Sequence, residues 1–263
     1  MEVGGKTVLL TGATGGLGQA IARALADRGA TLVLSGRKAA ALEDLASSLP
    51  GEHRFVEADL AAEGATERLV EEAGQIDVLV ANAGVSAGGR LDRFSQERLT
   101  EALRVNLESP MELARGVVTG MRERGSGHLV FISSLQGKVV LAHSSVYTAT
   151  KFGLRGFGLA LRDELWSSGV GVSVVLPGFI REAGIFARSG VKAPAGLGTS
   201  TPREVGEAVV TAIERNRAEV DVAPLLQRLG AGFAHRAPRV ASRVTRASAG
   251  RVADNVADGQ EGR

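Results

Sequence analysis

Tyr147 and Lys151 are the two residues whose types and spacing point most directly to chemistry. Lys151 follows Tyr147 at position i+4, at the start of a helix-like stretch. Their side chains should therefore lie on one face of a helix, within reach of each other. A phenol, whose pKa is about 10, is a poor acid or base at neutral pH, but a neighbouring ammonium group favours the phenolate and lowers that pKa. The pair therefore predicts that Tyr147 donates or accepts a proton.

A glycine-rich turn near the start of the chain predicts a nucleotide-binding site. It follows the apolar run 7–11 and precedes a helix-like stretch. Glycines are needed there because the turn is tight, the backbone must approach a pyrophosphate, and the helix must present its N-terminal amides to the anion. The residues predicted to contact the cofactor in this turn are Gly12, Thr14, Gly15, Gly16, Leu17 and Gly18.

The end of the second predicted strand indicates which dinucleotide is bound. An NAD enzyme usually carries a carboxylate there, which binds the 2′-hydroxyl of the adenosine ribose. This chain has Gly36 followed by Arg37. Without the carboxylate a 2′-phosphate is not repelled, and the guanidinium group can bind it, so NADP(H) is favoured over NAD(H). Ser35 and Lys38 are predicted to add contacts.

Asp59 and Leu60 follow the third predicted strand and are predicted to lie beside the adenine. The carboxylate could accept a hydrogen bond from the adenine amino group. Asp59 could also cap the next helix, and the two roles are compatible.

Short apolar runs alternate with helix-like stretches, which predicts a doubly wound α/β fold. The predicted strands are 7–11, 31–35, 54–57, 78–81, 129–132, 172–176 and 219–222. The predicted helices are 17–28, 39–48, 96–121, 146–168 and 202–216. Each crossover lays its helix back on a parallel sheet, giving a Rossmann-like sheet of about seven strands. Ligands of such sheets bind beyond the carboxyl ends of the strands, where every motif described here lies. We expect one NADP-binding domain over 1–224, followed by a tail over 225–263.

Composition excludes several other classes of protein. The 263 residues include no Cys, so disulfides and thiolate chemistry are excluded, and four scattered His residues do not have metal-ligand spacing. No metal is therefore expected. The chain shows neither a secretory signal nor a long apolar span, which predicts a cytoplasmic protein.

Further segments resemble those of the short-chain dehydrogenase/reductase family, over about 6–222. After the fourth predicted strand comes Asn82-Ala83-Gly84, and after the sixth comes Pro177-Gly178. Asn106 lies within the long helix, and Ser134 precedes Tyr147 by thirteen residues, which is the spacing of the family's catalytic serine. The short length and this spacing favour the compact branch of the family, although the glycine turn also fits the extended branch, which includes sugar epimerases.

The resemblance implies catalytic roles for Asn106, Ser134, Tyr147 and Lys151. Tyr147 would exchange the hydroxyl proton, Ser134 would bind the same substrate oxygen, and Lys151 would lower the pKa of Tyr147 and hold the nicotinamide ribose. A positively charged nicotinamide would also lower the pKa of Tyr147. Asn106 matches the asparagine whose helix kink holds a water molecule in the proton relay. The segments Asn82-Ala83-Gly84 and Pro177-Gly178, with Ile180 and with Tyr147 and Lys151 themselves, are predicted to contact the cofactor.

One position departs from the family pattern, because Glu182 stands where a Thr often touches the cofactor amide. Contacts at that point are therefore open. The family also implies a homodimer or homotetramer.

The segment 178–200 is rich in Gly, Ala and Ser and is predicted to be a lid over the substrate. Mostly apolar residues near the ends of the fifth and sixth strands would line the pocket. They are Leu135, Gln136, Val139, Leu141, His143, Phe179, Ile180 and Phe186. We expect a lipophilic ketone, aldehyde or alcohol as substrate, unless these side chains simply pack the lid.

The tail beyond residue 224 combines apolar and basic faces. Leu226, Leu229, Phe233, Val240 and Val244 fall on one side of a helical wheel, and Arg228, Arg236, Arg239, Arg243 and Arg246 on another. Pro238 should divide this helix, and residues from Asp254 onward should be disordered. The apolar side could lie on an anionic membrane, or dock on its own domain or a partner subunit. Nucleic-acid binding is not expected, since no motif for it is present.

The sequence favours an NADP(H)-dependent oxidoreductase that transfers a hydride between the nicotinamide and a carbonyl or alcohol carbon. A catalytically silent NADP-binding regulator or peripheral membrane scaffold is the alternative, and the presence of all four catalytic residues speaks against it. An epimerase or dehydratase that oxidises its substrate transiently would consume no NADPH.

Overall fold

Seven parallel strands form one sheet in the computed structural model, which describes residues 1–181 and 197–236. Their order is β3-β2-β1-β4-β5-β6-β7. The bounds are β1 Thr7–Thr11, β2 Thr31–Gly36, β3 Arg54–Glu57, β4 Val78–Ala81, β5 Gly127–Ile132, β6 Val170–Pro177 and β7 Glu219–Val222. The predicted doubly wound fold is confirmed, and each predicted strand is present with its bounds changed by two residues at most.

Helices cover both faces of the sheet. They are α1 Gly16–Ala26, α2 Ala39–Ser48, α3 Ala65–Ala73, α4 Gln96–Leu103, α5 Ser109–Glu123, α6 Ser145–Glu164, α7 Pro202–Glu214 and α8 Leu225–Arg236. Alternate strand residues face opposite sides. Leu10 packs with α1, α2 and α7, whereas Leu9 packs with α3, α5 and α6. These two apolar layers hold the sheet in place, and with it the loops that follow the strands at its carboxyl edge.

Two helix predictions need correction. Helix α3 was not predicted, because it is only nine residues long and mostly polar, and its four buried residues form no apolar run. The single helix predicted over 96–121 contains a π-helical turn, Arg104–Glu108, between α4 and α5. Pro110 has no N–H, so it cannot donate the usual helical hydrogen bond to the Asn106 carbonyl four residues earlier. The helix therefore widens into the π-helical turn at that point.

The order of the strands reverses between β1 and β4. Chain connections run outward in both directions from this pair, so the loops that follow β1 and β4 lie side by side at the carboxyl edge. Such a switch point is where open α/β sheets bind their ligands. The glycine turn follows β1 and Asn82 follows β4, as the sequence predicted for a cofactor site.

His128 in β5 makes the fold sensitive to acid. Its Nε2 lies 2.8 Å from the Ser173 hydroxyl inside the sheet, and burial lowers its pKa to about 3. The unfolded chain takes up a proton near its usual pKa of about 6.5 while the folded chain does not, so stability falls as pH drops from that value towards 3. We expect the free energy of unfolding to fall by about 2 kcal/mol between pH 7 and 5 from this group.

Urea unfolding at both pH values measures this effect. His128→Leu should be less stable at pH 7, because the Ser173 hydroxyl loses one of its hydrogen-bond partners, yet it should lose less stability on acidification. An equal loss in the variant and the wild type would assign the acid sensitivity to other groups.

Candidate active site

The glycine turn after β1 has the geometry of an anion cradle. Gly12 has a positive φ of 63°, and a Cβ atom added there would lie 2.8 Å from the Ala83 Cα atom. At Gly18 an added Cβ atom would overlap with the Gly12 carbonyl oxygen. Helix α1 begins just after Gly15 without a side-chain cap and without an acidic residue in its first turn. Its N-terminal amides therefore remain available to a phosphate group.

Asn82 fixes the turn from the neighbouring strand. Its Nδ2 atom donates to the Thr11 carbonyl at 3.0 Å and to the Gly12 carbonyl at 3.2 Å. The Thr11 hydroxyl in turn accepts hydrogen bonds from the backbone N–H groups of Asn82 and Ala83, both at 3.1 Å. Asn82 thus supports the cradle rather than pointing freely into it. Thr11 was missed by sequence reasoning, and only the pairing of β1 with β4 identifies it.

Asn106 is fully buried in the π-helical turn and holds the next part of the same loop. Its Oδ1 accepts from the Val85 N–H at 2.8 Å, and its Nδ2 donates to the Val85 carbonyl at 3.0 Å. A Cβ atom at Gly84 would lie 3.2 Å from that Oδ1. The side chain is therefore occupied in positioning the loop, which leaves only the backbone of Asn106 for the predicted water relay.

Ser134, Tyr147 and Lys151 come together as predicted. Ser134 follows β5, and its side chain interacts with the Tyr147 phenol, which lowers the pKa of that phenol. The Ser134 hydroxyl also lies 3.3 Å from the Pro177 carbonyl and accepts from the Gln136 N–H at 3.1 Å. The Lys151 Nζ atom lies 5.6 Å from the centre of the Tyr147 ring. The Tyr147 phenol and the Ser134 hydroxyl can therefore contact the same substrate oxygen.

The pKa of Tyr147 departs from the prediction. Burial raises it to about 12, and the interaction with the Ser134 side chain only partly opposes that increase. The predicted lowering by Lys151 is not found, because its ammonium group donates to the Ile132 carbonyl at 3.0 Å instead of facing the phenol. Burial also lowers the pKa of Lys151 to about 8. At neutral pH the phenol is protonated, as a proton donor must be.

The loop after β5 is anchored to helix α6, which carries the tyrosine. The Ser133 hydroxyl donates to the Lys151 carbonyl at 2.9 Å. The side-chain oxygen of Gln136 accepts from the Ser144 hydroxyl at 2.8 Å and from the Thr148 hydroxyl at 3.2 Å. These bonds fix Ser134 relative to Tyr147. Gln136, predicted to line the pocket, is occupied in this anchor.

The predicted adenosine contacts lie at the ends of β2 and β3. Arg37 is exposed, whereas Ser35 is buried within the sheet, so its side chain is enclosed by protein rather than open to a ribose. Asp59 is exposed and accepts from the Ala61 N–H at 3.1 Å, closing a turn rather than capping α3, which begins six residues later. Leu60 is buried in the core, which leaves its backbone for a cofactor contact.

The segment after β6 is closed at its base by backbone pairing. The Arg181 N–H donates to the Ser200 carbonyl at 3.0 Å, and the Ser200 N–H donates to the Phe179 carbonyl at 2.9 Å. Ile180, between them, is buried in the main core, so its side chain does not line a pocket as predicted. The predicted lid from 178 to 200 is described only at these ends. Glu182 and Phe186 lie outside the described residues.

Comparison with known proteins agrees with this geometry. Residues 6–190 match the family model of short chain dehydrogenases. This chain is a short chain dehydrogenase. It is 41% identical to the ketoacyl reductase HetN of a Nostoc species over 225 residues, 83% of this chain and 78% of that protein. The predicted family is therefore confirmed.

Two further proteins are similar over most of the chain. The 3-oxoacyl-(acyl-carrier-protein) reductase FabG of Escherichia coli is 35% identical over 184 residues, 68% of this chain and 75% of that protein. A short-chain dehydrogenase from Sphingobium yanoikuyae in complex with NADPH superposes with a TM-score of 0.75 at 28% identity, covering 82% of this chain and 87% of that one.

Gln227 of helix α8 was missed by sequence reasoning, although it contacts both ends of the segment after β6. Its Oε1 atom accepts from the Phe179 N–H at 3.3 Å. Its Nε2 atom donates to the Leu197 and Gly198 carbonyls at 3.1 and 2.9 Å. No local pattern marks this residue, because its partners lie about 30 and 48 residues away.

We expect Gln227→Met to destabilise this short chain dehydrogenase by roughly 2 kcal/mol. Methionine keeps the length of the side chain but leaves three backbone groups without their partner. Gln96→Met is the matched control, since Gln96 is exposed on α4, and should change stability by about 0.5 kcal/mol at most. Urea unfolding compares the two. Equal stability of the two variants would exclude a structural role for the Gln227 hydrogen bonds.

Only some of the residues predicted to line the substrate pocket are exposed enough to contact a substrate. Leu135 is buried against α8, where it packs with Ala231. Val139, Leu141 and Phe179 are partly exposed near the carboxyl ends of β5 and β6. These three remain candidates for substrate contact in this short chain dehydrogenase.

Proposed function

We propose that this short chain dehydrogenase reduces the carbonyl group of a lipophilic substrate with NADPH, or catalyses the reverse oxidation. The observation that carries the proposal is the interaction of the Ser134 side chain with the Tyr147 phenol, which brings two donors near one position for a substrate oxygen. The glycine cradle lies along the same edge of the sheet. When bound, the cofactor supplies the hydride.

The residues of this chain would then act on the substrate oxygen. Tyr147 holds its proton at neutral pH because its pKa is raised to about 12, so it can donate that proton to the oxygen as the carbonyl is reduced. The Ser134 hydroxyl would donate a hydrogen bond to the same oxygen and stabilise the negative charge that develops there. In the oxidative direction, the Tyr147 phenolate would accept the proton of the alcohol, and Ser134 would donate the same hydrogen bond to the oxygen as its negative charge develops.

The residues present fit the NADP(H) molecule. The glycine cradle and the first turn of α1 would hold the pyrophosphate, while Asp59 would lie at the adenine. Lys151 would hold the nicotinamide ribose, and the Pro177-Gly178 turn would lie beside the nicotinamide carboxamide. The NADPH complex of the Sphingobium yanoikuyae relative supports this choice of cofactor.

Arg37 is proposed to select NADP(H) over NAD(H). We expect Arg37→Ala to weaken NADPH binding by roughly 10- to 100-fold, because an exposed guanidinium–phosphate contact is lost, and to leave NADH binding almost unchanged. Fluorescence titration with both cofactors measures this. Arg23→Ala, an exposed arginine on α1, is the control and should bind both as the wild type does. A parallel loss of NADH affinity in Arg37→Ala would remove the 2′-phosphate contact from the proposal.

A β-ketoacyl thioester is the proposed substrate class. Two relatives are named as ketoacyl reductases, and the partly exposed Val139, Leu141 and Phe179 would suit an acyl chain. The test is NADPH oxidation with a series of β-ketoacyl thioesters of increasing chain length, alongside simple ketones and aldehydes. Turnover that rises with chain length supports the proposal. NADPH binding without turnover of any substrate would favour a silent regulator, and conversion without net NADPH consumption would favour an epimerase or dehydratase.

A further inference from the structure

Helix α8 carries its large apolar side chains on the surface of the protein. Leu225, Leu226, Leu229 and Phe233 are 67%, 58%, 62% and 52% exposed. These four residues form what we call the outer face of α8. Single exposed apolar residues are common, but four on one helix form a patch of the kind that marks an interaction site.

The opposite side of α8 is the one that docks on the protein. Gln227 and Ala231 are only 8% and 3% exposed. At about 100° per residue these two lie across the helix from the centre of the outer face. The sequence left open whether the apolar side docks on its own domain. In the described part of the tail, which ends at residue 236, the apolar side faces away from the domain.

The contacts made by the opposite, buried side of α8 hold the outer face in place. Gln227 binds the backbone of Phe179, Leu197 and Gly198, and Ala231 packs against the cluster that contains Leu135. The helix is therefore anchored beside the base of the segment that follows β6, and its apolar side chains are presented outward at the carboxyl edge of the sheet.

Charge identifies the occupant that fits this face. From Leu225 to Ala253 the sequence contains six arginines and no acidic residue. The described helix itself carries Arg228 and no acidic residue, so two copies meeting through this face would bring like charges together, at a cost in repulsion. An anionic lipid surface would instead accept the apolar side chains and attract the arginines. In residues 1–181 and 197–236 no helix is long and apolar enough to cross a membrane, so contact through this helix would be at the lipid surface.

We propose that the outer face of α8 binds anionic membrane surfaces. The helix would lie parallel to the membrane with its apolar side chains below the headgroups. The base of the segment after β6, which Gln227 holds, would then face the lipid, and a lipophilic substrate could reach the active site from the membrane. Lipid binding itself does not depend on the proposed reaction and is tested separately from it.

The test is co-sedimentation of the full chain with vesicles of phosphatidylcholine alone or with about 30% phosphatidylglycerol. Wild-type protein should bind the anionic vesicles, and binding should weaken as salt is added. Leu229→Glu should reduce the partition coefficient at least roughly tenfold, since a carboxylate replaces an inserted apolar group. Leu91→Glu is the matched control, because Leu91 is exposed to the same 62% far from α8 in sequence, and should bind as the wild type does.

Several outcomes would overturn the proposal. They are an absence of wild-type binding, equal binding to both kinds of vesicle, and equal loss in the two variants. A fourth is an unchanged partition coefficient in Leu229→Glu together with dissociation of an oligomer in light scattering, which would make the outer face a contact between copies. Circular dichroism and NADPH titration of both variants keep a folding defect distinct from lost lipid binding.

Discussion

Tyr147→Phe should lose carbonyl reduction by roughly 10³-fold in kcat while binding NADPH within about twofold of the wild type. The substitution removes only the phenolic oxygen. Tyr147 packs against the apolar cluster of Ala87, Ala102 and Val146, and phenylalanine can keep that packing. Cofactor affinity should therefore survive while the proton donor is lost. Steady-state NADPH oxidation and fluorescence titration measure the two quantities.

Ser134→Ala is the companion variant. It removes the hydroxyl that lowers the pKa of Tyr147 and that is one of the two donors to the substrate oxygen, but it leaves the phenol in place. We expect a smaller loss, about 10²-fold. Tyr147→Phe turning over at the wild-type rate would refute the proposed role of Tyr147, and a protein that retained its full biological effect without turnover would favour the regulator.

Gly18→Ala should abolish high-affinity NADPH binding and destabilise the fold by at least about 3 kcal/mol. The added methyl group would overlap with the Gly12 carbonyl oxygen and lie 2.7 Å from that of Ala13. Neither atom can move aside like the end of a flexible side chain, because both belong to the turn between β1 and α1. The cradle must therefore deform or α1 must separate from the sheet.

Gly156→Ala is the matched control for this prediction. Gly156 is an exposed glycine within α6, and an added Cβ atom meets nothing within 4 Å. Alanine there should stabilise the protein by roughly 0.5–1 kcal/mol, since it restricts the unfolded chain and favours the helix. Urea unfolding and NADPH titration should be run on both variants. Wild-type stability and affinity in Gly18→Ala would show that the turn tolerates a side chain and would contradict the close approach.

Most of the fold was predictable because its signals are local. Buried strands such as Val78–Ala81 are continuous apolar runs, and Thr201 followed by Pro202 marks the start of α7 through the preferences of a helix N-terminus. Helix α3 is amphipathic, but it is short and mostly polar, so it was overlooked. The π-helical turn has a local signal that sequence reasoning overlooked, since Pro110 stands four residues after Asn106 and cannot donate to its carbonyl.

The candidate site was predictable only as a set of residues. Spacing along the chain placed Tyr147 near Lys151, and the resemblance added Ser134 and Asn106. Their partners were not predictable: Asn106 binds the backbone of Val85, and Lys151 binds the Ile132 carbonyl. In the chain alone, burial raises the pKa of the phenol against the lowering predicted from Lys151, because desolvation depends on the atoms packed around a group and not on its neighbours in sequence.

By itself, then, the sequence determined the order of strands and helices, the glycine cradle and the residues at the carboxyl ends of the strands, since these depend on short-range periodicity and residue type. Tertiary structure decided what depends on contacts between distant segments. It tied Asn82 to the turn after β1 and Gln227 to the segment after β6. It also turned the apolar side of α8 outward, because docking places Gln227 and Ala231 against the protein.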